Sequence, residues 1–341
     1  MILRNYTIFA QTMRYRSNIY RPALLVVLLL MLIINCHAQP VPASDENIPY
    51  LMTFGGDGET SWGDDDFSQT FFFKIPLSYS KPFYIRVYDP DIGGVVDEIN
   101  GVWDTRMSYT VYGGTDCWSD KDARGIDPVG NYRSGTLLAS RVFGNDDSYD
   151  DNWYAFGPFN PTEGELVEAF GGYIFKVICE GMEGDDGNLY RYYLSSERNE
   201  NRALEDGNAF TYEYTFRMWN NTENISHIYP YIDTATTYVQ QVNFDWDDDG
   251  YIRAVSRVRR GELLSTSNED DWADSRLRIE EEEINSSLDF QFIKKQSALV
   301  RNNNVVISVE NQYGEYLEFF TIPIGGVPVY NPDLVVTPKK E

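Results

Sequence analysis

Short runs of aromatic and β-branched residues, cut by clusters of Asp, Gly, Asn and Pro, recur about every 8–15 residues along this chain. The runs include Thr70–Ile75, Phe83–Tyr88, Met107–Tyr112, Tyr173–Cys179, Tyr190–Leu194, Phe210–Met218, Leu288–Ile293, Val305–Glu310 and Tyr316–Ile322. An amphipathic helix needs apolar residues at i, i+3 and i+4 with a cap, and beyond residue 38 no stretch sustains that spacing. The pattern predicts an all-β protein of β-sandwich type, jelly-roll or Ig-like. The chain has 25 Tyr, 19 Phe and 7 Trp, enough core material to exclude intrinsic disorder.

One polar stretch, Ser195–Gly207, lacks any strand pattern. It predicts a linker over 195–207 between two sandwich domains in tandem, residues 48–194 and 208–328. A chain of 341 residues is long enough for two domains of about 150 each. Residues 39–47 form a leader, and 329–341, with Pro332 and Pro338, an extended tail.

Residues 1–22 hold Arg4, Arg14, Arg16 and Arg21 and no acid, and Ala23–Ile34 follows as an apolar run. That run falls short of the roughly 20 residues that span a bilayer and suits the core of a signal peptide. Cleavage is expected after Ala38, and Met13 is an alternative start. Cys36 offers a second reading, a lipid anchor, although Asn35 is not the small residue that precedes a lipidated cysteine. The expectation is an exported mature chain without a transmembrane span.

Lys and Arg number 28 against 53 Asp and Glu, a net charge of −25. Removing residues 1–38 takes four arginines and no acid, which leaves −29. Such a chain lacks the basic surface that displaces counterions from nucleic acid. Its two histidines exclude chemistry that needs several. Ser226 and His227 are neighbours in sequence and seldom face each other as a catalytic pair would, so His227 reads as structural. Zinc lacks its nitrogen and sulfur ligands. With 53 acids, chance alone places two carboxylates near each other, so spacing carries no glycosidase signal. A non-catalytic protein is expected. In an exported chain Cys117 and Cys179 predict one disulfide closing a long loop, with two buried thiols as the alternative.

The acids concentrate in the turns, where like charges repel and a hard divalent cation offsets the repulsion. Calcium takes six to eight oxygens and tolerates irregular geometry. The sharpest motif is Asp245-Trp246-Asp247-Asp248-Asp249-Gly250-Tyr251. Asp245, Asp247 and Asp249 alternate toward one centre, and Tyr251 offers its carbonyl. Position twelve is Ser256 rather than an acid, and the flanks alternate like strands, so this is no EF-hand; Asp270 or Asp271 is the expected further ligand. A second candidate runs Asp89-Pro90-Asp91-Ile92-Gly93-Gly94 and leads to Asp97, with Asp64 and Asp66 expected across the sandwich rim. The competing reading throughout is a solvated turn, because Asp side chains bond nearby backbone. Trp62, Trp103, Trp118, Trp153, Trp246 and Trp272 each lie within two residues of an Asp; they read as anchors of acidic loops, with sugar-stacking platforms as the alternative.

The segments IPYLMTFGGDGETSWGDDDF, PFYIRVYDPDIGGVVDEINGVWDTRMSYTVYGG, DNWYAFGPFNPTEGE and NFDWDDDGYIR together resemble the N-terminal β-rich region of OmpA-family, MotB-like envelope proteins of Gram-negative bacteria. The resemblance covers residues 49–328 and includes no peptidoglycan-binding domain, so that activity is not carried over. It implies export to the periplasm, outer membrane or cell surface, and a scaffold-like role with an envelope protein or glycan as partner. Calcium is the expected cofactor. A carbohydrate-binding module or adhesin is the alternative function, and a calcium-dependent polysaccharide-active enzyme the third.

Overall fold

The aromatic runs supply the strands, because alternate residues bury one face while Asp and Gly make the turns; Tyr316–Ile322 is strand only at Phe319–Phe320. The computed structural model describes residues 40–246, 250–295 and 303–328. There the protein is all-β, with short 3-10 turns and no α-helix among the described residues. The expected signal peptide over 1–38 and the tail over 329–341 lie outside the described residues. No described helix is long and apolar enough to cross a membrane.

Every pairing is antiparallel among the described residues. The first sheet has nine strands. They are β1 (Pro40–Val41), β2 (Tyr50–Phe54), β4 (Phe83–Tyr88), β7 (Trp153–Phe159), β10 (Gly187–Ser195), β12 (Glu213–Arg217), β15 (Tyr238–Phe244), β18 (Trp272–Arg278) and β21 (Asn304–Asn311). Its order is β18-β15-β21-β12-β2-β10-β4-β7, with β1 on β10. The second sheet holds β3 (Ser68–Pro76), β5 (Arg106–Gly113), β6 (Thr136–Phe143), β8 (Glu165–Val167), β9 (Gly172–Glu183), β11 (Asn208–Thr211) and β22 (Phe319–Phe320). Its order is β22-β11-β3-β9-β5-β6, with β8 on β9. A four-stranded sheet adds β13 (Ile225–Ile228), β16 (Gly250–Val255), β17 (Arg260–Leu264) and β20 (Asp289–Lys294). The pair β14 (Tyr231–Ile232) and β19 (Ser286–Ser287) completes the set.

A single apolar cluster joins these sheets. It takes Leu51, Tyr190, Tyr192 and Tyr214 from the first sheet, Phe71, Phe73, Tyr109, Phe175 and Val177 from the second, and Ile252, Phe290 and Phe292 from the third. Ring pairs stitch it across the layers: Phe71–Tyr214 at 5.4 Å, Tyr109–Tyr190 at 5.5 Å, Phe83–Phe175 at 4.9 Å and Phe216–Phe292 at 5.3 Å. Each fully buried Phe contributes about 1.5–3 kcal/mol.

The pairing corrects the expected domain division. β12 pairs with β2 and β11 pairs with β3, so strands from both sides of 195–207 share sheets. The described residues between 40 and 328 form one compact unit rather than two sandwiches in tandem. The 195–207 segment is a turn folded on the Ser195 hydroxyl, which donates to the Glu197 and Glu200 carbonyls and accepts from the Glu197 and Arg202 amides. Leu204 buries its side chain beneath it. The run Phe210–Met218 is two strands, β11 in one sheet and β12 in the other, with Tyr212 at the corner.

The expected disulfide is absent: Cys117 and Cys179 are both free and buried. Successive residues of a strand point to opposite faces. Cys179 joins the central core, while its neighbour Ile178 faces outward and packs with Cys117 and Tyr112. The second sheet therefore stands between the two sulfurs.

Candidate metal centres

Three groups of acids each bring carboxylate oxygens within 4.8 Å of one another: Asp64, Asp65 and Asp66; Asp89, Asp91 and Asp150; and Asp104, Asp185 and Asp186. What separates them is whether their oxygens already have donors.

The loop after β4 builds the second group. Asp89 turns the chain at φ +55°, Ile92 buries fully to anchor it, and Gly93 and Gly94 follow at φ +147° and +69°. A Cβ on Gly93 would lie 3.1 Å from Asp150 Oδ1, so the glycines let this loop close on the loop between β6 and β7. Backbone amides fix the approach: Asp146 N donates to Asp91 Oδ2 at 3.2 Å, and Asp151 N to Asp89 Oδ1 at 3.1 Å. Asp89 and Asp91 are buried, and burial pushes each carboxyl up to about 7. Asp91 Oδ1 and Asp150 Oδ1 are buried without a hydrogen-bond donor. So is Oδ1 of Asn188, whose Nδ2 donates to the Asp91 carbonyl at 2.7 Å. Buried acceptors left this way carry a desolvation penalty, which a bound cation removes.

The expected ligand Asp97 serves the loop instead. Its two oxygens accept from Gly93 N at 2.9 Å and Leu189 N at 2.7 Å. Burial, and after it Asp89, raises its carboxyl well above the ordinary range. Asp64 and Asp66 belong to a separate group and are not in the group that Asp89 and Asp91 form. Asp150, which completes that group, sits in the Asp146–Asp151 run, where turn chemistry masked it in sequence.

The third group is satisfied by the protein. Asp186 accepts from Asn100 N, Asp104 N and Thr105 N at 2.9–3.2 Å, and Asp185 accepts from Asn100 Nδ2 at 2.7 Å. These acids cap the 98–105 loop.

In the D-x-D-x-D-G loop, Asp247 and Asp249 lie outside the described residues. Asp245 is buried, and its Oδ1 accepts from Asp270 N at 3.2 Å. Gly250 serves packing as much as turning: a Cβ there would meet Trp246 Cζ2 at 2.3 Å and the Ile293 carbonyl at 2.4 Å. Tyr251 stands within β16 opposite Ile293, with an exposed side chain.

The tryptophans mostly anchor loops. Trp62 packs on Phe54, Trp153 on Tyr88, Trp246 is buried on Phe292, and Trp118 Nε1 donates to Tyr212 Oη at 2.8 Å. His227 Nδ1 pairs with Asp289 at 2.9 Å, while the Ser226 hydroxyl donates to the Asn47 carbonyl. The two side chains have separate partners, as expected of strand neighbours. Arg259 is held by Glu283 and Glu262. No protein-family model matches the chain, and no curated protein is significantly similar to it.

Proposed function

We propose that this protein is an exported, non-catalytic β-sandwich module of the Gram-negative cell envelope, a scaffold or interaction part whose rim loops are locked by calcium. The observation that carries the reading is the pair of donorless buried oxygens, Asp91 Oδ1 and Asp150 Oδ1, in a group built by two loops. The donors are all oxygen, from carboxylates with a nearby amide, which suits a hard cation and excludes soft-metal preference. Irregular loop geometry favours calcium over magnesium, which demands a near-octahedral shell. The basic N-terminus and its apolar run support export.

Calcium at a hundredfold excess over its Kd stabilises the folded state by about 2.7 kcal/mol. For a domain of this size that raises the melting midpoint by roughly 5 °C. Thermal unfolding in millimolar calcium and in excess EGTA measures the difference, and Asp150→Asn is expected to shrink it. Identical midpoints in the two solutions would overturn the reading.

A glycan-binding module is the second reading. It is supported by a cleft of about 500 Å³ whose walls include Trp118, Phe170, Tyr231 and Tyr316 beside Lys74 and Arg124. Quenching of tryptophan fluorescence by a neutral oligosaccharide, lost in Trp118→Ala, would favour it.

A further inference from the structure

Aromatic side chains gather on the outer face of the second sheet as well as on its core face. Phe72 of β3 and Phe210 of β11 stack there at 5.2 Å, and Phe320 of β22 lies 5.2 Å from Phe210. Phe170 and Trp118 pack on this cluster, with Phe170 5.1 Å from Phe210 and 5.0 Å from Trp118. A hydrogen-bonded relay fixes the indole: Trp118 Nε1 donates to Tyr212 Oη at 2.8 Å, and Tyr212 Oη donates to Glu318 Oε1 at 3.1 Å. The cleft of about 500 Å³ is lined by Trp118, Phe170 and Phe320 and, from other segments, by Tyr231 and Tyr316. Clefts of roughly 300–1,000 Å³ hold small ligands.

The charged groups that line this cleft divide by whether the protein already satisfies them. The acids are engaged. Asp233 Oδ1 accepts from Ala235 N, Thr236 N and Thr236 Oγ1 at 2.6–3.0 Å, Glu315 Oε2 accepts from Asn311 Nδ2 at 3.0 Å, and Glu318 accepts from Tyr212. Burial raises the Glu318 carboxyl above its ordinary value, which favours the neutral form. The cations are not engaged. Lys74 and Arg124 have no hydrogen bond or ion pair from their side chains among the described residues. Asp206 acts on Lys74, and Glu318 on Arg124, only through space. The Arg124 guanidinium lies over the Trp118 ring at 5.0 Å, and its Nε is buried without an acceptor. A buried donor left this way carries a desolvation cost that an anion offsets.

We infer that the cleft takes an acidic saccharide, its ring against the aromatic walls and its carboxylate received by Arg124 and Lys74. The inference rests on the glycan-binding reading and adds the class of sugar. Two observations carry it together: a cleft walled by rings, and cations without protein partners lining it beside acids that have donors. Pairing of guanidinium with carboxylate is charge-assisted and planar, so it selects geometry as well as charge. A neutral sugar leaves both cations unmatched and binds more weakly. No residue lining the cleft belongs to the three acid groups of the loops, so this site is separate from any calcium held there.

The test is a calorimetric titration of the protein with trisaccharides of galacturonate, mannuronate and guluronate, each beside its methyl ester, which keeps the ring and loses the charge. At least one uronate is expected to bind about tenfold more tightly than its ester. Arg124→Gln is expected to bring that uronate close to its ester, and so is Lys74→Gln, which spares the stack on Trp118. Equal affinity of every uronate and its ester would overturn the inference and leave the glycan-binding reading standing. Binding of no saccharide would overturn both. A preference that survives both substitutions would belong to calcium bridging at the acidic loops, and it too would overturn the inference.

Discussion

Lys176 shows how one side chain sets a pH response. It is fully buried on β9, donates Nζ to the Tyr132 carbonyl at 2.5 Å, and has Ser134 Oγ at 3.3 Å. Burial lowers its pKa from 10.5 to about 8, an effect that the acids Cys117, Asp120 and Glu165 only partly oppose. Between those values the unfolded chain holds the proton and the folded chain does not, so stability rises with pH across that window. Below pH 8 both states are protonated, and the folded state carries the whole penalty of a buried ammonium. Urea midpoints at pH 8 and pH 10 are expected to rise for the native protein more than for Lys176→Met. Equal slopes in the two proteins would remove Lys176 as the cause. At the same scale, Asp91 and Asp97 lie six residues apart in one loop and differ in their donors. Two backbone amides satisfy Asp97, and none reaches Asp91 Oδ1.

β9 organises its neighbourhood as an element. Phe175, Val177 and Cys179 turn to the central core, while Ile174, Lys176 and Ile178 face the loop that carries Cys117, Tyr132 and Ser134. Burial pushes both thiols up to about 12, so neither is a reactive thiolate at neutral pH. A thiol reagent is expected to find Cys117 and Cys179 inert in the native protein. In denaturant without reductant both should react. A requirement for reductant would restore the disulfide. The corner at Tyr212 is the second organising element. A single apolar run passes there from the second sheet to the first, with Glu213 opening the second strand. Sequence periodicity reports a run of apolar residues and is blind to such a crossing, since both halves alternate alike. A lone acid inside that run was the available signal.

At the scale of the molecule, the continuous core predicts one cooperative transition. Phe216 on Phe292 and Trp246 on the same ring connect the four-stranded sheet to the rest. Tryptophan fluorescence and far-ultraviolet circular dichroism are expected to trace coincident urea transitions. Two separated transitions would return the molecule to two independent domains. Cleavage within 195–207 should likewise release no stable half, because β10 and β12 both flank β2.

The all-β class, the strand positions and the acid-rich turns were legible in the residues alone. Phe83–Tyr88 coincides with β4 end to end, and Thr70–Ile75 lies wholly within β3. Those features are local: alternation, turn residues and glycine placement act over a few neighbours. Which sheet a strand joins is not local. It depends on register between segments more than 100 residues apart, as in β2 with β10 or β3 with β11. For the same reason the sequence could name Asp89, Asp91, Asp64 and Asp66 as candidate ligands but put them at one rim, where the fold forms two separate groups. Folding brought Asp150 to the first pair, and it put a sheet between the two cysteines. Backbone amides then decided which carboxylates were left with oxygens to offer.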